Sequence, residues 1–414
     1  MSPDLSRVTA LAVELHGRRI GVINRLAGDQ QVFAFEEDYI EDPERPTLSL
    51  SFKGRGGALV TTFRPHSTRV PPFFSNLLPE GHLRTYLAAR ASVKPEREFF
   101  LLAALGADLP GAVLVTPLDH AGRPTTTDAE GRKHDDPAAE TATLRFSLAG
   151  VQLKFSAIQE ARGGLTIPVD GMGGSWIVKL PDTRFSAVPE NEFAMLELAR
   201  TVGIAVPATR LVPVEEIQGL PPAAARLEDH ALAIERFDRG PEGQRIHMED
   251  FAQVFSVFPA DKYEGHSYAN IAAVLWPETG DEGTWEFVRR LVFTVLIGNG
   301  DMHLKNWSLL YPDQRTPVLS PAYDFVSTVP YMPEDRLGLT FGQTRSLIGI
   351  SKDQVRRFAD AARLPVSPAW EIVEETVART VDTWRTLDAR EVLPAKLRDE
   401  IHRQIERAAR GVEK

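Results

Sequence analysis

Leu296-Ile297-Gly298-Asn299-Gly300-Asp301-Met302-His303-Leu304-Lys305-Asn306 follows an apolar, helix-like run from Phe287 to Ile297 and precedes a strand-like one from Trp307 to Leu310. An acid and an amide five positions apart, in a loop after a buried helix, suit one kind of chemistry. Asp301 can orient a hydroxyl and accept its proton, the Asn306 carbonyl oxygen can bind a divalent cation, and Lys305 can offset a developing negative charge. The same spacing also suits a loop made only of capping and turn residues. Nothing inside the stretch decides between the two.

Downstream, Ser320-Pro321-Ala322-Tyr323-Asp324-Phe325 places a second acid, Asp324, eighteen residues beyond Asn306. Upstream, Trp176-Ile177-Val178-Lys179-Leu180 is an apolar strand carrying a single cation. The helix expected over Pro189 to Val202 carries Glu190 and Glu192, and either can pair with Lys179. Phe146-Ser147-Leu148-Ala149-Gly150-Val151-Gln152-Leu153-Lys154 lies between two strand-like pieces, Leu144 to Phe146 and Lys154 to Ile158. A short turn of small residues there offers backbone N–H groups to an anion, although a plain hairpin reads equally well. Ala233-Ile234-Glu235-Arg236-Phe237-Asp238 is an apolar strand meeting a charged turn, and Phe237 can stack on a flat ligand ring or fill a core.

Composition narrows the class. The 414 residues include 47 Lys and Arg against 57 Asp and Glu, a formal net charge of −10, with 43% hydrophobic and 25% charged residues. These are ordinary globular values and exclude a disordered, collagen-like or coiled-coil chain. There is no cysteine, so disulfides, thiolate nucleophiles and Cys-ligated zinc are out. An acidic chain without a Lys/Arg block makes a poor nonspecific nucleic-acid binder. Met1 to Gly21 lacks the apolar run of a signal peptide, and Phe99 to Val115, the most apolar stretch, is broken by Asp108 and Pro110. A cytoplasmic protein with no membrane partner is expected. Asp301-x-His303 could ligate a hydrolytic metal, but no second His/carboxylate pair supports it, and His247 and His266 stand alone.

The chain divides by composition. His120 to Thr141 is polar and rich in Pro, Gly, Asp and Thr, the signature of a linker or long loop. Residues 1–119 then form an α+β unit. Its strands are expected over Val8 to Leu15, Arg19 to Ile23, Gln31 to Phe35 and Thr47 to Phe52, and its helices over Leu83 to Ala91 and Glu96 to Leu105. Residues 142–240 read as strand-rich, with further strands over Thr209 to Val214 and Ala231 to Glu235. Residues 241–414 read as helical, over Glu249–Phe255, Ser267–Leu275, Thr284–Ile297, Lys352–Ala362, Ala369–Leu387 and Pro394–Ala409. A strand-rich half followed by a helix-rich half predicts an α+β, two-lobed fold.

The Asp-x-x-x-x-Asn loop, the later Asp-Phe and the strand lysine match, in order, elements of protein kinases. Together with Pro71-Pro72-Phe73-Phe74-Ser75-Asn76-Leu77-Leu78-Pro79-Glu80-Gly81, the turn Ser147 to Lys154, Ile177-Val178-Lys179-Leu180-Pro181, Glu190-Asn191-Glu192 and Glu235-Arg236-Phe237-Asp238-Arg239, they resemble the HipA family of serine/threonine-kinase toxins, the kinase halves of type II toxin–antitoxin pairs. Seven motifs in order between Pro71 and Asp324 make the resemblance specific over nearly the whole chain.

The resemblance implies a protein-kinase-like fold with an extra N-terminal α+β subdomain, and ATP–Mg²⁺ phosphotransfer to a protein serine. It implies a catalytic Asp301, with Asn306 and Asp324 on the metal. It places Ala149, Gly150, Val151, Gln152, Leu153, Lys154, Lys179, Glu235, Arg236, Phe237, His303, Lys305, Asn306, Tyr323 and Asp324 around ATP. It implies autophosphorylation at Ser147, where a dianion would refashion the loop that cradles ATP and silence the enzyme. Family substrates include aminoacyl-tRNA synthetases, the glutamate enzyme among them. The usual partner is a HipB-like helix-turn-helix antitoxin, through which operator DNA is reached. Asn299-Gly300 stands where ordinary kinases have His-Arg before the Asp, Val326 follows Asp324-Phe325 in place of Gly, and no Ala-Pro-Glu comes after, so a conventional activation loop is not expected. Two other readings use the same residues: a small-molecule phosphotransferase on a kinase-like fold, and a non-catalytic scaffold that holds an antitoxin.

Overall fold

The computed structural model describes residues 5–119, 122–123, 154–159, 164–167, 174–182, 184–220, 224, 227 and 229–412. The expected linker at 120–141, apart from Gly122 and Arg123, and the expected strand at 144–146 lie outside them.

The chain opens with strands β1 (Ala10–Leu15), β2 (Arg18–Leu26) and β3 (Gln30–Phe35), followed by helix α1 (Glu37–Glu41) and strand β4 (His66–Ser67). Helices α2 (Pro72–Ser75), α3 (Gly81–Arg90) and α4 (Glu98–Leu105) lead to strand β5 (Val113–Pro117). The strands form an antiparallel sheet in the order β4-β3-β2-β1-β5. In β3 the side chains alternate, Phe33 and Phe35 entering a core with Phe73, Phe74 and Phe99, as a half-buried strand requires. The expected strand Thr47 to Phe52 is instead a bend through a 3-10 turn, Leu50–Phe52. Ser49 caps that turn and the Glu249 carboxylate takes the Leu50 N–H, so the backbone there needs no strand neighbour.

The second sheet runs β10-β7-β6-β8-β11-β9, built from β6 (Lys154–Gln159), β7 (Leu165–Thr166), β8 (Trp176–Lys179), β9 (Thr209–Pro213), β10 (Ile217–Gln218) and β11 (His230–Glu235). Helix α5 (Val188–Thr201) crosses it, begun by Pro189 and Glu190 in its first turn.

The remaining chain packs on helix α7 (Tyr268–Ile297), preceded by α6 (Phe251–Val254) and followed by α8 (Lys352–Ala362), α9 (Val366–Thr386) and α10 (Ala395–Ala409). The helices expected over Ser267–Leu275 and Thr284–Ile297 are the two arms of α7, which breaks at Gly280, where φ is 65°. Phe287, Leu291, Val295, Trp307, Phe325 and Trp384 share its buried core. The expected helix Glu249–Phe255 divides into strand β12 (His247–Asp250) and α6. Glu249 is opposite Leu309 of β13 (Ser308–Tyr311), which pairs in turn with β14 (Val318–Leu319), and Asp250 with Gln253 forms the capping box that starts the helix afresh.

Buried polar contacts hold the N-terminal sheet to the rest. Glu249 accepts from Ser49 Oγ at 2.5 Å, from Leu50 N at 2.9 Å and from the Tyr311 hydroxyl. Burial pushes its carboxyl up to about 7 against the pull of these donors. The folded chain therefore binds this proton more tightly than the unfolded one, and the resulting stability is full below about pH 4.5 and lost as pH rises through about 7. In Glu249→Gln, unfolding measured between about pH 5 and about pH 8 should lose that dependence, which in the parent approaches about 1.4 kcal/mol per pH unit. Equal slopes in parent and variant would refute it.

Candidate active site

Helix α7 ends because Gly298 takes a left-handed conformation, φ 69°, at a point where a Cβ would lie 2.7 Å from the Gln404 side chain. The chain turns into the Asp301 loop, and Asn299 then spans it. Its Nδ2 donates to the Asp324 carbonyl at 2.9 Å, and its Oδ1 accepts from Asp301 N at 3.0 Å. Gly300 N donates to Thr328 Oγ1 at 2.8 Å, and a side chain at 300 would run into the Asp335 carboxylate. The loop bearing the first acid is thereby stitched to the segment bearing the second. Asp324 itself has φ 56°, an uncommon conformation for a non-glycine residue and one that tends to mark functional positions.

Lys179, buried at the end of β8, donates to Glu192 Oε1 at 2.5 Å and also to Asp324 Oδ1. Of the two glutamates open from the sequence, Glu192 makes the pair, while Glu190 lies 3.5 Å from His230. Helical residues two apart point about 200° apart, so only one can face the lysine. Asn191 between them grips Ser327 in both directions, donating to its carbonyl at 2.9 Å and accepting from its N–H at 3.1 Å. Lys154 is the cross-strand neighbour of Lys179 in the β6–β8 register.

Burial opposes ionisation of Asp324, but the Lys179 and Lys154 ammonium groups outweigh it and hold its carboxyl at about 2. Burial moves Asp301 the other way, upward, although the Tyr263 hydroxyl that donates to its Oδ1 partly counters this. The two acids thus occupy opposite environments. Asn306 spends its Nδ2 on the Asp301 carbonyl at 2.9 Å, and among the described residues its Oδ1 takes no hydrogen bond. An amide oxygen and a carboxylate are both hard oxygen donors, of the type that suits a hard divalent cation.

The other expected residues are placed as follows in the fold. Lys305 points at the Asn76–Glu80 segment, 2.7 Å from Glu80 Oε1 and 3.1 Å from the Asn76 carbonyl, while Lys262 holds the other Glu80 oxygen at 2.8 Å. His303 is buried and burial lowers it to about 3, so the ring is neutral, with Nδ1 unpartnered among the described residues. Phe237 packs on Tyr323, ring centroids 5.6 Å apart, and the Tyr323 hydroxyl donates to the Lys305 carbonyl at 2.8 Å. Arg236 turns away from Phe237 into a buried cluster, reaching Asp238 at 2.8 Å and Asp108 at 3.5 Å. Glu235 ends β11 with its N–H on the Ala208 carbonyl. Ser147 and residues 149–153 lie outside the described residues. Sequence reasoning missed Tyr263, Asn299 and a bridging role for Glu80, the last within a family-like motif that carries no signal for its partners.

The chain has relatives among known proteins. Family models described as the HipA N-terminal domain and the HipA-like C-terminal domain match residues 11–116 and 146–384. Y4dM of Sinorhizobium fredii, a kinase by name, is 52% identical over 400 residues, 96% of each chain. The serine/threonine-protein kinase toxin HipA of Shewanella oneidensis is 25% identical over 399 residues, 87% of this chain and 86% of that one. The solved Shewanella oneidensis HipA, in complex with HipB and operator DNA, matches the fold with a TM-score of 0.73 at 21% identity, covering 97% of this chain and 98% of that one.

Proposed function

The chain belongs to the HipA family, and from that premise we propose that it is a serine/threonine-protein kinase toxin that transfers the γ-phosphate of ATP to a protein serine. The observation that carries the reading is Lys179 clasped between Glu192 and Asp324, with Asn299 tying Asp324 to the Asp301 loop. A kinase uses the same parts in the same order.

In this reading Lys179 exchanges part of its contact with Asp324 for the phosphates, Glu192 keeps it in place, and Asn306 Oδ1 with the Asp324 carboxylate holds Mg²⁺. The bound cation supplies charge neutralisation on the phosphates. Glu235 to Phe237 face the adenine through backbone and ring, Lys154 adds a second cation beside Lys179, and Tyr323 backs Phe237. Asp301 orients the serine hydroxyl and receives its proton as the serine oxygen bonds to the γ-phosphorus; the bond to the β-phosphate oxygen breaks and ADP leaves. The raised position of Asp301 suits a proton acceptor better than the strongly acidic Asp324 would. Lys305 stays with Glu80 and supports the loop. Ser147 is the self-phosphorylation site, an aminoacyl-tRNA synthetase such as the glutamate enzyme is the outside substrate, and a HipB-like antitoxin is the partner through which DNA is reached. Among the described residues no helix is long and apolar enough to cross a membrane, and a cytoplasmic enzyme fits these partners.

Incubation with labelled ATP and Mg²⁺, beside Asp301→Gln and Ser147→Ala, tests the reading. Phosphate should map to Ser147 in the parent and be absent from Asp301→Gln, a fall of about 10²- to 10⁴-fold. ATP binding with no label on any protein would overturn it in favour of a scaffold or a small-molecule kinase.

A further inference from the structure

We infer that Tyr263 is a positioning residue for phosphotransfer: its hydroxyl holds one oxygen of the Asp301 carboxylate so that the other faces the incoming substrate hydroxyl. The inference rests on Asp301 being the proton acceptor proposed above.

The segment that carries Tyr263 is fastened to the catalytic loop from several sides. Leu304 N donates to the Lys262 carbonyl at 3.2 Å, and Arg345 Nη2 donates to the Tyr263 carbonyl at 2.9 Å. Lys262 and Lys305 share the Glu80 carboxylate, at 2.8 and 2.7 Å, so one acid joins the Tyr263 segment to the loop. The Tyr263 ring meets His303 edge-on, with centroids 4.9 Å apart and planes at 78°. The aromatic ring is therefore placed by its surroundings, and the hydroxyl arrives at Asp301 Oδ1 as a consequence.

The Asp301 backbone is equally fixed, its N–H on Asn299 and its carbonyl on Asn306. What these bonds leave open is rotation of the carboxylate, because the terminal torsion of an aspartate is broad. Among the described residues, Tyr263 is the group that donates to that carboxylate, and Oδ2 accepts no hydrogen bond from them. A carboxylate has about four acceptor sites, so holding Oδ1 does not compete with a substrate donating to Oδ2. The hydroxyl of Tyr263 keeps its own proton throughout: burial and the adjacent Asp301 charge both push it far above its ordinary value. Its contribution is orientation supplied before the reaction begins.

Tyr263→Phe keeps the ring against His303 and removes only the donor. The first-order rate of phosphate incorporation should fall about 10- to 100-fold. The ATP concentration giving half the maximal rate and the thermal midpoint should stay at parent values. Incorporation of 4-aminophenylalanine at 263 restores an N–H donor at the same place and should recover most of the rate, which a purely structural role would not predict. An unchanged or faster rate in Tyr263→Phe overturns the inference, the faster rate marking the hydroxyl as an obstruction. A fall that 4-aminophenylalanine does not relieve overturns it too. If the parent itself binds ATP without transferring phosphate, the kinase reading fails, and that result needs no variant to be seen.

Discussion

Lys179→Met is expected to cost both stability and phosphotransfer, and a second substitution should separate the two. The lysine is buried, and Glu192, its partner at 2.5 Å, is fully inaccessible to solvent. Removing the ammonium strands that carboxylate in a low-dielectric site, and breaking one partner of a buried pair costs about 3–5 kcal/mol. The thermal midpoint should drop by several degrees. Replacing a buried pair by apolar groups is often close to neutral, so Lys179→Met with Glu192→Leu should recover much of the midpoint. Phosphate incorporation should remain at background in both, because in the proposed reading Lys179 contacts the phosphates and neither variant has it. Recovery of activity in the double variant would remove Lys179 from the nucleotide site, and an unchanged midpoint in the single one would mean that the pair is not held out of water.

The second large effect lies away from the chemistry. Asp238 accepts from Gly111 N at 2.8 Å, from Arg236 at 2.8 Å and from Arg239 at 2.7 Å, all buried, and so binds the N-terminal sheet to the end of β11. Burial works against its charge, but the Arg236 and Arg239 guanidinium groups outweigh it and keep the carboxyl below its ordinary range. Asp238→Ala leaves two guanidinium groups and a backbone N–H short of an acceptor. The expected loss is about 3–5 kcal/mol. Limited proteolysis should show earlier cleavage between the N-terminal sheet and the rest, and the half-saturating ATP concentration should rise, since Phe237 lies between Arg236 and Asp238. Parent-like proteolysis together with a parent-like melt would show that the cluster does not hold the two parts together.

Much of the architecture is legible in the residues alone. The two-lobed α+β order, helix α5 with its Pro189–Glu190 start and the loop from Gly298 to Asn306 follow from periodicity, caps and spacing. Those signals are local, acting within one or two turns of chain. The structure departs from them where a distant partner overrides a local pattern. Glu249 and Asp250 look helical beside Phe251 to Phe255, but the chain at 247–250 pairs with Ser308–Tyr311, and a strand results. Thr47 to Phe52 has strand composition, but its Leu50 N–H goes to Glu249, 199 positions away, and a turn results.

The same division holds in the site. Residue type and order along the chain alone determined that Asp301, Asn306, Asp324 and Lys179 are the candidates, because each carries a functional group that the chemistry needs and little else about it matters. Which glutamate meets Lys179, where Lys305 points and which hydroxyl holds Asp301 were decided only by tertiary structure. Each depends on the direction of a side chain across a gap of 13 to 229 residues, from Lys179 and Glu192 to Lys305 and Asn76. No local pattern encodes such a direction, since it is fixed by the packing of elements that the intervening chain brings together.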